Sequence, residues 1–338
     1  MFKPVNAGGS DEPITTHRWA CDMTEHILQP EARAFAEAAA VPPTLVERGV
    51  DGARKLLDDV QSGPVDLPDV EDEWITVPAA VGDVRVRIVK PAGTTGLLPV
   101  VLYVHGGGWV LGNAGTHDRL VRDLATGARA AIVFVEYTRS PEAQHPVAIE
   151  QAYATARWIM DNGRQKGLDA ARLAVAGDSV GGNMAAVLAI LAKKRGDVRF
   201  IHQSLYYPVT DARQDTASYR EFAEGFHLRA DAMAWFWDNY LPDVHKRSDV
   251  TASPLQAPAD ELKGLPETLL IVDENDVLRD EGEAYGRKLI EAGVPTTLVR
   301  YDATIHDFMM LNPLRPSAAT TAAIDQAIHT LRTAFARD

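Results

Sequence analysis

The chain has 338 residues and a net charge of −13, from 34 basic and 47 acidic side chains. Apolar residues make up 46% and charged ones 24%, as in soluble globular proteins, and the length suits one large domain with an accessory element or two ordinary domains. The acidic excess argues against a nucleic-acid or anionic-membrane partner, and the single cysteine, Cys21, excludes an intramolecular disulfide and argues against a zinc–thiolate site.

The first residues show no basic run followed by an apolar stretch, and no window approaches the ~18 apolar residues of a membrane helix. The expectation is a cytoplasmic protein. No repeat or low-complexity tract interrupts the chain. Helical patterns run over about 17–26, 30–40 and 43–60, the last ending at Ser62-Gly63-Pro64. Leu45, Val46, Val50, Ala53, Leu56 and Leu57 recur at helical spacing, so this region covers something apolar. The texture changes at Glu73. Trp74–Pro78 and Val84–Val89 alternate like two antiparallel strands, with Gly82-Asp83 near the turn.

From Val100 the pattern becomes strand, loop, helix. Short apolar strands are predicted at Val100–Val104, Ala131–Glu136, Leu173–Ala176, Phe200–Tyr206, Thr268–Val272 and Thr297–Tyr301. Near-continuous apolar strands separated by helices define an α/β protein whose mostly parallel sheet is covered on both faces. Between Tyr207 and Pro266 the rhythm breaks, leaving an aromatic-rich helix at Ala230–Tyr240 and a lid-sized insertion. Ligands in such sheets gather at the carboxyl ends of the strands.

Two glycine-rich motifs fall there. Gly177-Asp178-Ser179-Val180-Gly181 stands between a strand and a helix, the context of a nucleophile elbow. Its glycines allow a sharp turn that makes Ser179 stand proud of the sheet. His105-Gly106-Gly107-Gly108-Trp109 follows another strand. Its bare N–H groups, with the N–H of Val180, can cradle an oxyanion. No lysine follows as in a phosphate loop, and the glycine spacing does not fit a dinucleotide fingerprint.

A nucleophilic serine needs a base, and the base an orienting acid. His306 follows the last strand, where a base can reach the serine. The loop after Thr268–Val272 offers Asp273, Asp276 and Asp280 as acids, and spacing does not choose among them.

Four segments resemble the hormone-sensitive-lipase-like (bacterial family IV) carboxylesterases of the α/β-hydrolase superfamily. They are His105–Trp109, Tyr137–Glu142 running on to His145-Pro146, Gly177–Gly182, and Asp276–Gly282 with Ile305-His306 downstream. The resemblance covers roughly residues 74–311. It implies an α/β-hydrolase fold with a helical cap, a catalytic triad of Ser179, Asp276 and His306, and an oxyanion hole of Gly107, Gly108 and Val180. It also implies a catalytic domain at 51–210 and 248–338, with the cap at 1–50 and 211–247. Three positions depart from the family pattern. Val180 replaces a usual alanine and should narrow the space beside the oxyanion; Val277 replaces a usual proline. Asp307 replaces a usual glycine, where it either adds negative charge near His306 or points to solvent, the second being favoured. Glu142 is expected to satisfy buried backbone groups, and Asp178 to favour the helix N-terminus.

The expected activity is that of a serine esterase acting on small-molecule esters of short to medium acyl chain. It needs no metal or cofactor. Trp109 and the cap aromatics Phe222, Phe226, Trp235, Phe236, Trp237 and Tyr240 are candidate pocket walls. A homodimer is compatible with the sequence. An amidase or deacetylase would use the same residues; a ligand receptor on this fold would typically have lost one of them.

Overall fold

A computed structural model describes residues 26–337. Cys21 and most of the expected first helix lie outside the described residues. The N-terminal region supplies α1 (Pro30–Ala39) and α2 (Gly49–Gln61). The helix expected over 43–60 is split, because Gly49 takes a left-handed φ of +65° after a short turn at Val46–Arg48. The antiparallel strands β1 (Val70–Val77) and β2 (Val84–Pro91) follow.

The α/β rhythm then runs through β3 (Leu98–Val104), α3 (Asp118–Ala128), β4 (Ala131–Glu136), α4 (Val147–Asn162), β5 (Leu168–Asp178), α5 (Val180–Arg195) and β6 (His202–Tyr206). The insertion carries α6 (Ala217–Glu221) and α7 (Ala230–Tyr240), followed by the short α8 (Ala259–Leu262). The chain returns to the sheet with β7 (Glu267–Asn275), α9 (Arg279–Glu291), β8 (Thr296–Ile305) and α10 (Ala318–Phe335).

The eight strands lie in the order β1-β2-β4-β3-β5-β6-β7-β8. Only the β1–β2 and β2–β4 pairings are antiparallel, so the sheet is mostly parallel, as the apolar strands predict. β5 sits near the centre, and α5 behind it is buried from Val180 to Ala192. A helix apolar on all sides belongs inside the core, and burying it anchors the β5–α5 turn. The carboxyl ends of β5, β7 and β8 therefore face one place, beneath α1, α2 and α7.

Candidate active site

Ser179 occupies the turn from β5 to α5 with φ +54° and ψ −121°, which costs a non-glycine residue energy. The turn is fixed from several sides: Ser179 N–H donates to Tyr206 (2.8 Å), while its carbonyl accepts from Asn183 (3.1 Å) and Val209 (3.2 Å). Gly181 cannot be replaced without collision, because a Cβ there would strike the Val104 carbonyl. The N–H of Val180 belongs to the first turn of α5, where no intrahelical acceptor exists.

His306 directly follows β8. Its Nε2 lies 2.9 Å from Ser179 Oγ, and its Nδ1 lies 2.7 Å from Asp276 Oδ2. Asp276 Oδ1 accepts from Leu278 N–H at 3.0 Å. All three side chains are buried. Burial alone would lower the histidine's pKa, but the charge of Asp276, then that of Asp307, outweighs it and pushes it up to about 10. Burial would likewise raise Asp276, yet the imidazolium's charge and the hydrogen bonds it receives hold its carboxyl below the ordinary range.

The other two acid candidates separate clearly. Asp280 accepts from Ser218 N–H (2.8 Å) and pairs with Arg279 (2.9 Å), so it braces α9 against α6. Asp273 is fully buried near Asp276. Among the described residues, Asp273, Asp276 and His306 are the one group of metal-ligand side chains that draws together, within 4.8 Å. The Asp276–His306 hydrogen bond already occupies atoms that a cation would need.

Gly107 (φ +100°) and Gly108 (φ +61°) border the same cavity as Ser179 and His306. A Cβ on Gly108 would collide with the Phe236 ring, so this glycine lets α7 close over the loop. Beneath lies a network that the sequence reading missed. Tyr103 OH donates to Asp178 Oδ1 (2.6 Å), His117 Nε2 meets Asp178 Oδ2 (3.2 Å), and a Cβ on Gly106 would strike Asp178. Asp178 thus ties the elbow to the glycine loop and α3 rather than serving only the helix terminus.

Two further expectations change. Glu142 is more than half exposed and pairs with Arg54 of α2 at 2.7 Å, instead of satisfying buried backbone. Asp307 does not point to solvent: its Oδ1 lies 3.5 Å from His306 Nε2, and its Oδ2 lies 3.7 Å from His227. The reason is the backbone, whose φ of +66° turns the side chain inward.

The cavity holds about 240 Å³ and is mostly apolar, walled by Phe35 of α1, Leu56, Leu57 and Val60 of α2, and Met233 and Phe236 of α7. Of the expected aromatics, Phe236 lines it, whereas Trp109, Phe222, Phe226, Trp235, Trp237 and Tyr240 do not. Trp109 is buried and stacks on Tyr240 at 4.0 Å. Phe222 and Phe226 pack edge to face at 5.1 Å, and Trp235 turns away beside Phe236. The lining positions Arg229, Ala232, Met233 and Phe236 are spaced i, i+3, i+4, i+7, so helical phase was the signal available for finding them.

A family profile described as the alpha/beta hydrolase fold matches residues 101–310, and the chain belongs to that family. A thermostable esterase from Pseudomonas putida ECU1011 superposes with a TM-score of 0.90 at 46% identity, over 92% of this chain and 99% of that one. A fungal esterase from Rhizomucor miehei matches at 38% identity and TM-score 0.87, over 92% and 97%. Carboxylesterase NlhH of Mycobacterium tuberculosis is 36% identical over 83% of this chain and 90% of its own. Within the family the chain falls among the hormone-sensitive-lipase-like esterases, enzymes that hydrolyse carboxylic esters. No helix among the described residues is long and apolar enough to cross a membrane.

Proposed function

We propose that this esterase cleaves small esters of short to medium acyl chain by acyl transfer through Ser179. Ser179 Oγ attacks the ester carbonyl while His306 Nε2 takes its proton. Asp276 fixes the imidazole tautomer and stabilises the imidazolium. The developing oxyanion rests on the N–H groups of Gly107, Gly108 and Val180. His306 then protonates the departing alcohol, and water, activated by the same imidazole, releases the acid.

The observation that carries this reading is the continuous relay from Ser179 Oγ through both ring nitrogens to Asp276, at 2.9 and 2.7 Å. A cavity of about 240 Å³ supports the acyl range, since pockets for drug-sized ligands span roughly 300–1,000 Å³. We assign the cap to the described N-terminal helices through Gln61, together with residues 211–247, because α2 walls the cavity as fully as α1 does.

The test pairs p-nitrophenyl esters of graded acyl length with the matching anilides, and adds mass-spectrometric mapping of an organophosphonate. Label on Ser179 and preference for short esters support the proposal. Label elsewhere overturns the nucleophile, and faster anilide cleavage makes the enzyme an amidase.

A further inference from the structure

Behind the acid–base pair lies a carboxyl group that the proposed chemistry leaves unused. Asp273, in β7, has no exposed surface, and no N–H or hydroxyl group donates to either of its oxygens. Asp276, just past the strand, is equally buried, and the two carboxyls and the imidazole of His306 approach within 4.8 Å of one another. Two carboxylates so close, shut away from water and sharing one imidazole, cannot both remain ionised.

The surrounding donors decide which one keeps the charge. Asp276 receives His306 Nδ1–H at 2.7 Å and Leu278 N–H at 3.0 Å. Neither oxygen of Asp273 has a hydrogen-bond partner, and the Asp276 carboxyl lies within 4.8 Å of it. A carboxyl without donors that has a carboxylate beside it gains by carrying the proton itself.

Given the proposed relay, we infer that Asp273 is a neutral carboxylic acid that donates a hydrogen bond to Asp276 and serves as a positioning residue for the triad acid. Burial and the charge of Asp276 both push the Asp273 carboxyl well above the ordinary range, in agreement. Tyr207, from the turn after β6, also feels this site, but burial keeps its hydroxyl neutral. Asp307 acts from the opposite ring nitrogen of His306. The proton on Asp273 does not leave during turnover. It disperses the charge of Asp276, weakens that residue's hold on the imidazolium, and lets His306 become a free base at lower pH than it otherwise would.

The test compares the full chain with Asp273→Asn, which keeps a donor, and Asp273→Val, which does not. An infrared difference spectrum of wild type minus Asp273→Asn at neutral pH should contain the carbonyl stretch of a protonated carboxyl. Glu281, a second buried carboxyl held well above its ordinary range, contributes equally to both and cancels. In the pH profile of kcat/KM, Asp273→Asn should keep the wild-type inflection, and Asp273→Val should raise it by about 0.5–1 pH unit. If Asp273 were ionised, the infrared band would be absent and both substitutions would lower the inflection. Either of those results overturns the inference, as does an unmoved inflection in a folded Asp273→Val protein. Should that variant not fold, the infrared band and the asparagine profile still decide. The relay is checked separately: a Ser179→Ala protein that keeps its turnover sinks the relay, whatever the infrared reports.

Discussion

Asp307 and Asp276 grip His306 from opposite sides, Asp276 Oδ2 at 2.7 Å from Nδ1 and Asp307 Oδ1 at 3.5 Å from Nε2. In the proposed mechanism, the nitrogen that collects the Ser179 proton therefore has a carboxylate beside it. Both charges favour the imidazolium, which is the form that cannot act as a base.

Activity should accordingly rise with pH as His306 loses its proton, with an inflection well above the ~6.5 of a free imidazole. Asp307→Asn removes one of the two negative charges while keeping a side chain that tolerates a left-handed backbone. Less stabilisation of the imidazolium means a lower pKa, so the inflection should move down by about 0.5–1 pH unit. The pH profile of kcat/KM in the two proteins checks this. An inflection that stays in place would show that Asp307's charge does not reach the imidazole.

Asp276→Asn should lower kcat by about four orders of magnitude, because an asparagine cannot enforce the reactive tautomer of the base. Asp280→Asn should change kcat by less than about tenfold, since its contacts are to Ser218 and Arg279 rather than to the imidazole. Steady-state kinetics on a short ester, alongside a melting curve for each variant, distinguishes chemistry from folding. Comparable losses in both would mean that the relay runs through the wrong carboxylate.

Much of this was legible in the sequence because the signals were local. Ala131–Glu136 and Ala230–Tyr240 appear with the bounds their apolar texture predicts, and the two glycine motifs sit at strand ends as expected. What escaped depends on torsions and on helical phase. Nothing in the order of residues announces the φ of Gly49 that divides the N-terminal helix, or the φ of Asp307 that turns its carboxylate inward. On α7 the sequence offers Trp235, Phe236, Trp237 and Tyr240 alike, but successive helical residues point about 100° apart, and Phe236 is the one of these rings that reaches the cavity. Asp273 hides for a different reason. β7 is covered on both faces, so no alternation separates an inward carboxyl from an outward one.

Arg54 is one polar fastening of α2, alongside the buried Gln61 at its C-terminal end. Arg54 Nε donates to Val110 O (2.9 Å), one terminal nitrogen donates to Ser140 O (3.0 Å), and the guanidinium forms a fork with Glu142. Arg54→Met keeps much of the stem's packing but leaves two carbonyls without their donor, at about 1–3 kcal/mol for such groups when buried. Exposure of Glu142 keeps the ion pair's own share small. Because α2 forms one wall of the cavity, KM should rise more than kcat falls. Thermal melting and steady-state kinetics on one ester check both statements, and unchanged KM with a lowered melting point would confine Arg54 to stability.

Phe236 is the side chain that should set acyl length. Its ring closes on Gly108 so tightly that no Cβ would fit there, and it shares the cavity with Ser179 and His306. Phe236→Ala removes that wall beside the proposed oxyanion loop without touching the relay. Truncating a buried Phe typically costs about 3–5 kcal/mol where the gap cannot collapse, so the melting point should drop. A substrate that fills the gap recovers part of that apolar burial, at about 0.8 kcal/mol for each methylene enclosed. The kcat/KM ratio of a hexanoate to an acetate ester should therefore increase, by about threefold to tenfold for each methylene newly enclosed. The p-nitrophenyl series measures this directly, because the leaving group stays constant while the acyl chain grows. If Phe236→Ala slows every ester by the same factor, the ring supports the loop instead of bounding the acyl chain, and the length limit must lie on the α2 side, at Leu57 and Val60.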